Sequence, residues 1–313
     1  MVVSLMSYLS FVLVICTNVI FTLSFSNAQS NGCSAESGKF SSDSTYSQNL
    51  DLILSTLPSN GSQNGGFYNT TIGQDLDKVY ALALCKGDIA SGICVECINS
   101  SIEGIIKQCP NQKEAIYWGP RISSSTCMLR HANHNFVSVM EVIPSFTVPN
   151  PNAISPSSQN QFNETFPMLM EILMKNASFG SKFATRNKNF TDSEKVYGLV
   201  QCTPDISETD CRICLQGAMV ELLECCGKKQ GGRVLRPSYI AWFELSLFYN
   251  SSSIDTPSLT PFDPPLTPGF APHKATRNKC VSLYFYITSL HHCVSLVILL
   301  PFVVVSISYF SGY

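Results

Sequence analysis

One cysteine pattern occurs twice in the chain and dictates how it can fold. Cys85, Cys94 and Cys97, and again Cys202, Cys211 and Cys214, follow Cys-x8-Cys-x2-Cys, each set preceded by a matching stretch, Lys78–Leu82 and Lys195–Leu199, 117 residues apart. Asp88-Ile89 and Asp205-Ile206 coincide at the same offset. A repeat of that length is one domain built twice, not one large core.

Each copy has its own periodicities. Cys97, Ile98, Ile102, Ile105 and Cys109 in the first, and Cys214, Leu215, Ala218, Leu222 and Cys225 in the second, recur at spacings of three and four, which predicts amphipathic helices with cysteines on the buried face. The same period predicts earlier helices over Tyr46–Leu57 and Phe162–Met174. Phe136, Val137, Val139 and Val142 suggest a strand. Tyr239 to Tyr249 alternates as an antiparallel strand with one buried face. Helices followed by strands predict an α+β domain, made twice. Asn150–Asn160 is polar, with Pro and Ser, and reads as the linker.

The ends and the surface indicate export. The first 25 residues carry no charge, are rich in Leu, Val, Ile and Phe, and lead to small residues at Ser26 and Ala28, which predicts a signal peptide over 1–28. Residues 251–280 hold six prolines between Pro257 and Pro272 and read as an extended stalk. Residues 281–313 contain no Asp, Glu, Lys or Arg and form a hydrophobic tail suited to membrane association. Between these ends lie seven Asn-x-Ser/Thr sequons, at Asn60, Asn69, Asn99, Asn163, Asn176, Asn189 and Asn250, candidate surface glycans. Fourteen cysteines fit an oxidising compartment. A net charge of −2 with 13% charged residues offers no basic face, so nucleic acid is not an expected partner.

Three segments carry a family likeness: the repeated cysteine motif, Cys109–Ile116 with Cys127–Arg130, and Leu199–Asp205 with Gly231–Ser238. They resemble the plant cysteine-rich receptor-like kinases and cysteine-rich repeat secretory proteins, whose domains are similar to the antifungal lectin ginkbilobin. The resemblance covers about Ser30 to Asn250 and implies domains over 29–142 and 150–250. Each would have two helices on a five-stranded antiparallel sheet. It also implies the disulfides Cys33–Cys109, Cys85–Cys94, Cys97–Cys127 and Cys202–Cys211. Spacing alone does not choose among the pairings that six cysteines allow. Tyr239 stands where the family has the cysteine that would bridge Cys214. The second copy keeps five cysteines, including the adjacent Cys225 and Cys226, an odd number that cannot all pair within the domain. Gly119–Thr126 is extra relative to the family.

The resemblance implies a small mannose site, formed by an asparagine after the first cysteine, an arginine, and a glutamate on the last strand. Arg offers a planar donor fork while Asn and Glu accept from neighbouring hydroxyls. In the second copy Arg233 and Glu244 match, but the asparagine has no counterpart there, so neither copy is expected to hold the full set. In the first, Ser34 replaces the asparagine, Arg121 falls in the extra segment and Ala132 takes the glutamate position. The alternative for Arg233 and Glu244 is a cross-strand structural ion pair, and for Tyr239 and Trp242 a place in the core rather than a sugar-stacking surface.

Other chemistry is not expected. Cys94-x2-Cys97 and Cys211-x2-Cys214 have zinc-like spacing, but behind a signal peptide they read as structural disulfides, so no metal or cofactor is predicted. His131 and His134 read as exposed loop residues, His273, His291 and His292 lie towards the C-terminus, and Glu103, Glu221 and Glu224 read as solvated helix faces, so no catalytic triad or carboxylate pair emerges. No kinase glycine loop, His-Arg-Asp or Asp-Phe-Gly appears, and no enzymatic activity is expected. Two readings remain: a secreted or tethered module of the apoplast that binds carbohydrate in defence or stress response, or a kinase-less receptor-like ectodomain that pairs with related ectodomains.

A fragment over residues 29–250 is predicted to be soluble when oxidised and aggregation-prone when reduced, because each small core depends on its disulfides. Near-ultraviolet circular dichroism and melting temperature, with and without reductant, check this; identical values would contradict it.

Overall fold

The computed structural model describes residues 32–119 and 127–250. The signal peptide, Arg121, the stalk and the hydrophobic tail lie outside the described residues.

The first repeat runs α1 (Thr45–Gln63), β1 (Phe67–Ile72), β2 (Val79–Cys85), α2 (Ser91–Gln108), β3 (Ala115–Gly119) and β4 (Cys127–Ala132). The second runs β5 (Phe146–Pro149), α3 (Gln159–Phe179), β6 (Phe183–Asn189), β7 (Lys195–Cys202), α4 (Glu208–Cys226), β8 (Gly231–Leu235) and β9 (Tyr239–Glu244). All four predicted helices form, each longer than its apolar core. Local caps extend them: the Ser44 hydroxyl accepts from the Ser47 amide at 3.2 Å, and Ser207 accepts from Asp210 at 3.0 Å at the head of α4. The repeated stretches Lys78–Leu82 and Lys195–Leu199 open β2 and β7, which are interior strands of their sheets.

The sheets are antiparallel, in the orders β1-β2-β4-β3 and β5-β8-β9-β7-β6. The expectation of five strands in each copy therefore holds only for the second. In the first, the position of β5 is taken by a single bridge, Cys33 to Ala115, flanked by Ile116 N–H donating to Gly32 and Ser34 N–H to Glu114. Two flanking bonds are too few for a strand, and Cys33 is instead fixed by its disulfide to Cys109.

Two further segments differ from their sequence reading. Residues 136–142 form no strand; Ser138 has φ 61°, which breaks extended pairing, while Phe136, Met140 and Val142 are buried. The segment read as a linker belongs to the second repeat: the Asn150 amide donates to Gly231, Gln230 to Asn152 and Ile154 to Lys228. It joins β5 to α3 along the start of β8, so the second sheet begins at Phe146, ahead of position 150.

Disulfides tie strands to helices. Cys85–Cys94 joins the end of β2 to α2, Cys97–Cys127 joins α2 to β4, and Cys202–Cys211 joins β7 to α4. Cys225 is bridged to its neighbour Cys226, and Cys214 is buried in the core of the second repeat with Tyr239. The register locates both positions where the second repeat has no cysteine, and Tyr239 faces Cys202 as Cys127 faces Cys85. Pro149 faces Gly232 as Cys33 faces Ala115, so proline occupies the position from which the first repeat reaches its helix end.

Each sheet is covered on both faces. Helices α1 and α2 pack Leu50, Ile53, Leu57 and Ile98 against Ala81, Ala83 and Leu129, and α3 and α4 pack Phe162, Phe166 and Leu222 against Val200, Val234 and Phe243. The other faces meet each other, with Leu82, Leu84, Ile116, Trp118 and Met128 of the first repeat against Leu235, Ile240 and Phe146 of the second. This second layer corrects the expectation of one buried face per strand: every residue of β4 is buried, and so are Ile240 and Trp242.

Polar contacts across this seam are reciprocal. Ser138, six residues past β4, donates its amide to Asp205 of the second repeat at 2.7 Å, and Asn250, six past β9, donates to the equivalent Asp88 of the first at 2.9 Å. Arg130 lies 4.1 Å over Phe136, and Trp242 stacks on Phe248 at 4.3 Å, again at matching positions. Reciprocity of this kind is the signature of a two-fold relation, here between the halves of one chain. Gln201 adds a clamp: its Nε2 donates to the Cys85 carbonyl at 3.0 Å and its Oε1 accepts from Gly87 N–H at 3.3 Å.

Two titratable groups differ from their sequence reading. His131 is 3% exposed, on the helix-facing side of β4. Glu221 is paired at 2.6 Å with Arg236, which also donates to the Val142 carbonyl, and so anchors α4 to the inter-repeat segment. Glu103 and Glu224 are exposed as expected.

Gln201→Leu keeps the volume but strands the Cys85 carbonyl and Gly87 amide, and should lower unfolding free energy by about 1–3 kcal/mol. Calorimetry checks it, and a single transition is expected in both proteins; two resolved transitions would contradict a shared seam. Burial pushes the His131 pKa down to about 4, outweighing the nearby Glu114 carboxylate. Below the unfolded value the unfolded chain binds the extra proton, so stability should fall as pH drops from about 6.5 towards 4. Glu114, held below the usual carboxylate range by its Ser37 and Arg130 partners against its burial, adds a loss in the same direction at lower pH. Denaturant midpoints across that range, flatter in His131→Phe, check the assignment.

Candidate functional site

One end of the interior strands β8 and β9 gathers the polar set that the sequence singled out. Glu244 ends β9 and faces Gly231 on β8 and Tyr197 on β7. A Cβ at Gly231 would come within 1.8 Å of Glu244 Oε2, so glycine is required for the carboxylate to lie over the strand. Each carboxylate oxygen accepts one bond, Oε2 from Asn150 Nδ2 at 2.8 Å and Oε1 from Trp242 Nε1 at 2.9 Å.

Asn150 is the residue that sequence reading missed. In the first repeat Cys33 faces Ala115, and in the second Pro149 faces Gly232, the residue 117 positions later. Asn150 thus stands where Ser34 stands in the first repeat, directly after the position of the first cysteine. With a proline in place of that cysteine, the marker that would have revealed it is gone. Its Oδ1 accepts from the Asn152 amide at 2.9 Å, which fixes its orientation.

Arg233 sits on β8 opposite Trp242, so Arg233 and Glu244 are diagonal neighbours rather than directly opposed. Its guanidinium carbon lies over the indole, 3.9 Å from the ring centroid. With Phe248 stacked at 4.3 Å, both faces of Trp242 are covered, because two planar groups at these distances cannot share one face. Tyr239 and Trp242 are accordingly core residues. Burial pulls the Arg233 pKa down while the Glu244 charge pulls it back. Lys86 of the first repeat reaches the same corner, 5.6 Å over Trp242 and 3.3 Å from Asp88.

The first repeat lacks the set. The position equivalent to Arg233 is Ile116, Ala132 takes that of Glu244, and both are buried in the seam. Arg130 there is paired with Glu114 at 3.0 Å and with Glu141. His134 lies half-exposed, 3.9 Å from Glu114. Among the described residues no three His, Cys, Asp or Glu side chains converge to hold a metal ion, and no helix is long and apolar enough to cross a membrane.

None of the seven sequon asparagines is buried. Asn99, Asn163, Asn189 and Asn250 are exposed, and Asn60, Asn69 and Asn176 are partly so.

The salt stress response/antifungal family matches residues 32–134 and 150–244, one copy per repeat. The chain is 35% identical over 226 residues to the Arabidopsis thaliana cysteine-rich receptor-like protein kinase 25, covering 71% of this chain and 33% of that protein. It is 35% identical over 225 residues to the putative cysteine-rich receptor-like protein kinase 9 of the same plant, covering 70% of this chain and 82% of that one. It thus spans about a third of the length of the larger kinases it matches, over their ectodomain part. Among solved structures it resembles the tandem DUF26 ectodomain of the Arabidopsis thaliana cysteine-rich receptor-like protein PDLP8, with a TM-score of 0.59 at 21% identity over 69% of this chain and 97% of that one. The corresponding ectodomain of PDLP5 gives 0.55 at 24%, over 68% and 96%. The matched module is a non-catalytic, disulfide-bonded ectodomain unit. With both repeats matched, and the fold shared with solved tandem ectodomains, the chain belongs to the salt stress response/antifungal family of tandem cysteine-rich domains.

Proposed function

We propose that the chain is an extracellular binding module of the plant apoplast, whose second repeat holds a mannose-like saccharide at Asn150, Arg233 and Glu244. The observation that supports this reading is the Asn150 Nδ2 to Glu244 Oε2 bond of 2.8 Å, which joins an asparagine, absent from the linear motif, to the glutamate. An ionised carboxylate has about four acceptor sites, and the protein uses two of those on Glu244. The remainder suit adjacent sugar hydroxyls. In this reading the site acts in defence or stress response, and residues 281–313 tether the module at the outer face of the plasma membrane.

One observation favours a second reading. Arg233 and Phe248 cover both faces of Trp242, so the corner offers no aromatic platform to a sugar ring. The module would then work through protein contacts with related receptor-like ectodomains.

The two readings separate on a glycan array that includes mannose oligosaccharides. If the saccharide reading holds, Asn150→Ala and Glu244→Gln each lower affinity by about 1–3 kcal/mol, while circular dichroism shows the fold retained. Arg233→Ala is a poorer probe because it also strips packing from Trp242. A folded protein that binds no glycan on the array would discard the saccharide reading in favour of the protein-contact one.

A further inference from the structure

Four strands lie at the edges of the two sheets, and three carry visible protection against pairing with another chain. The edge strand β6 bears Arg186 and Lys188, and β5 ends in Pro149. The outer side of β3 is covered where Gly32 and Ser34 bond to it. Charge, proline and a covering segment are the usual devices by which natural edges avoid association.

β1 has none of them. Its sequence, Phe67-Tyr68-Asn69-Thr70-Thr71-Ile72, holds no charge, no proline and no glycine, and consists of strand-favouring residues apart from Asn69. Uncharged segments of this length and propensity are the ones that pair edge to edge. Its six residues pair in continuous register with β2, Phe67 to Leu84 through Ile72 to Val79, on one side only. Among the described residues no segment pairs with the other side. The middle of this strand is a sequon, Asn69-Thr70-Thr71, and Asn69 is partly exposed.

We infer that Asn69 carries an N-linked glycan that shields the open edge of β1, and that a second copy of this chain pairs with that edge when the glycan is absent. A branched oligosaccharide projecting from the outermost strand prevents an incoming strand from approaching to the roughly 4.8 Å that pairing needs. β1 is thus protected by a modification where the other three edges are protected by sequence. This does not depend on what the second repeat binds.

The test expresses the full chain in a glycosylating secretory host and compares variants by intact mass and sedimentation velocity over a hundredfold concentration range. Asn69→Gln should lose the mass of one glycan and associate as concentration rises, whereas Thr71→Ser keeps the sequon and should behave as the parent. Asn99→Gln removes the sequon on the exposed face of α2 and should not associate, which separates edge shielding from a general effect of glycans on solubility. Asn69→Lys lacks the glycan but places a charge on the edge, and should sediment as the parent does. Circular dichroism spectra matching the parent show that each variant is folded. An unmodified Asn69 in the parent, an Asn69→Gln protein that sediments as the parent at every concentration, or equal association of the Asn99→Gln variant would each overturn the inference.

Discussion

The back-to-back packing of the two sheets is the contact on which the rest of the structure depends. Helices cover one face of each sheet, and the other faces would be wet and apolar without this partner, since Leu82, Leu84, Ile116, Trp118 and Met128 pack against Phe146, Leu235 and Ile240. A repeat of about 100 residues buries a smaller fraction of its surface than the tandem does. Disulfides relieve part of that deficit, and the seam adds a second apolar layer shared by both copies. The reciprocal bonds of Asp88 and Asp205 to the segments after the last strands then fix the orientation that apolar packing, being non-directional, leaves loose.

The same near-symmetry lets the two copies diverge. Equivalent positions carry Arg130 and Trp242, Ile116 and Arg233, Ala132 and Glu244, and in each pair one side is committed to the seam or to an ion network while the other lies in the polar corner. Lys86 and Asp88 bring the first repeat to the edge of that corner. With the polar set in one copy alone, the first repeat is a scaffold half and the second carries a partly buried polar corner.

Much of this was legible in the chain itself. Helical spacing located all four helices, and the cysteine motif located the repeat. What was hidden depends on contacts between distant segments. His131 and Glu221 looked solvated because their covers, the helices packed on that face of the first sheet and Arg236, are brought up only by the fold. Asn150 looked like linker because its alignment marker, a cysteine, has become Pro149, and only strand register restores the equivalence. The fifth strand of the first sheet failed to appear because only one residue, Cys33, forms a bridge there. Conversely, Val137, Val139 and Val142 mimicked a strand while serving as a connecting segment pinned to the seam.

Native-state hydrogen exchange of the Ser138 and Asn250 amides tests the central claim most directly. Both lie outside every helix and strand, where amides ordinarily exchange fast. If the repeats form one reciprocal body, both should be protected and should exchange with the same opening free energy as the amides of β4 and β9. Fast exchange at both amides, with β4 and β9 opening at clearly different free energies, would mean that the two repeats fold as separate units and would contradict the account.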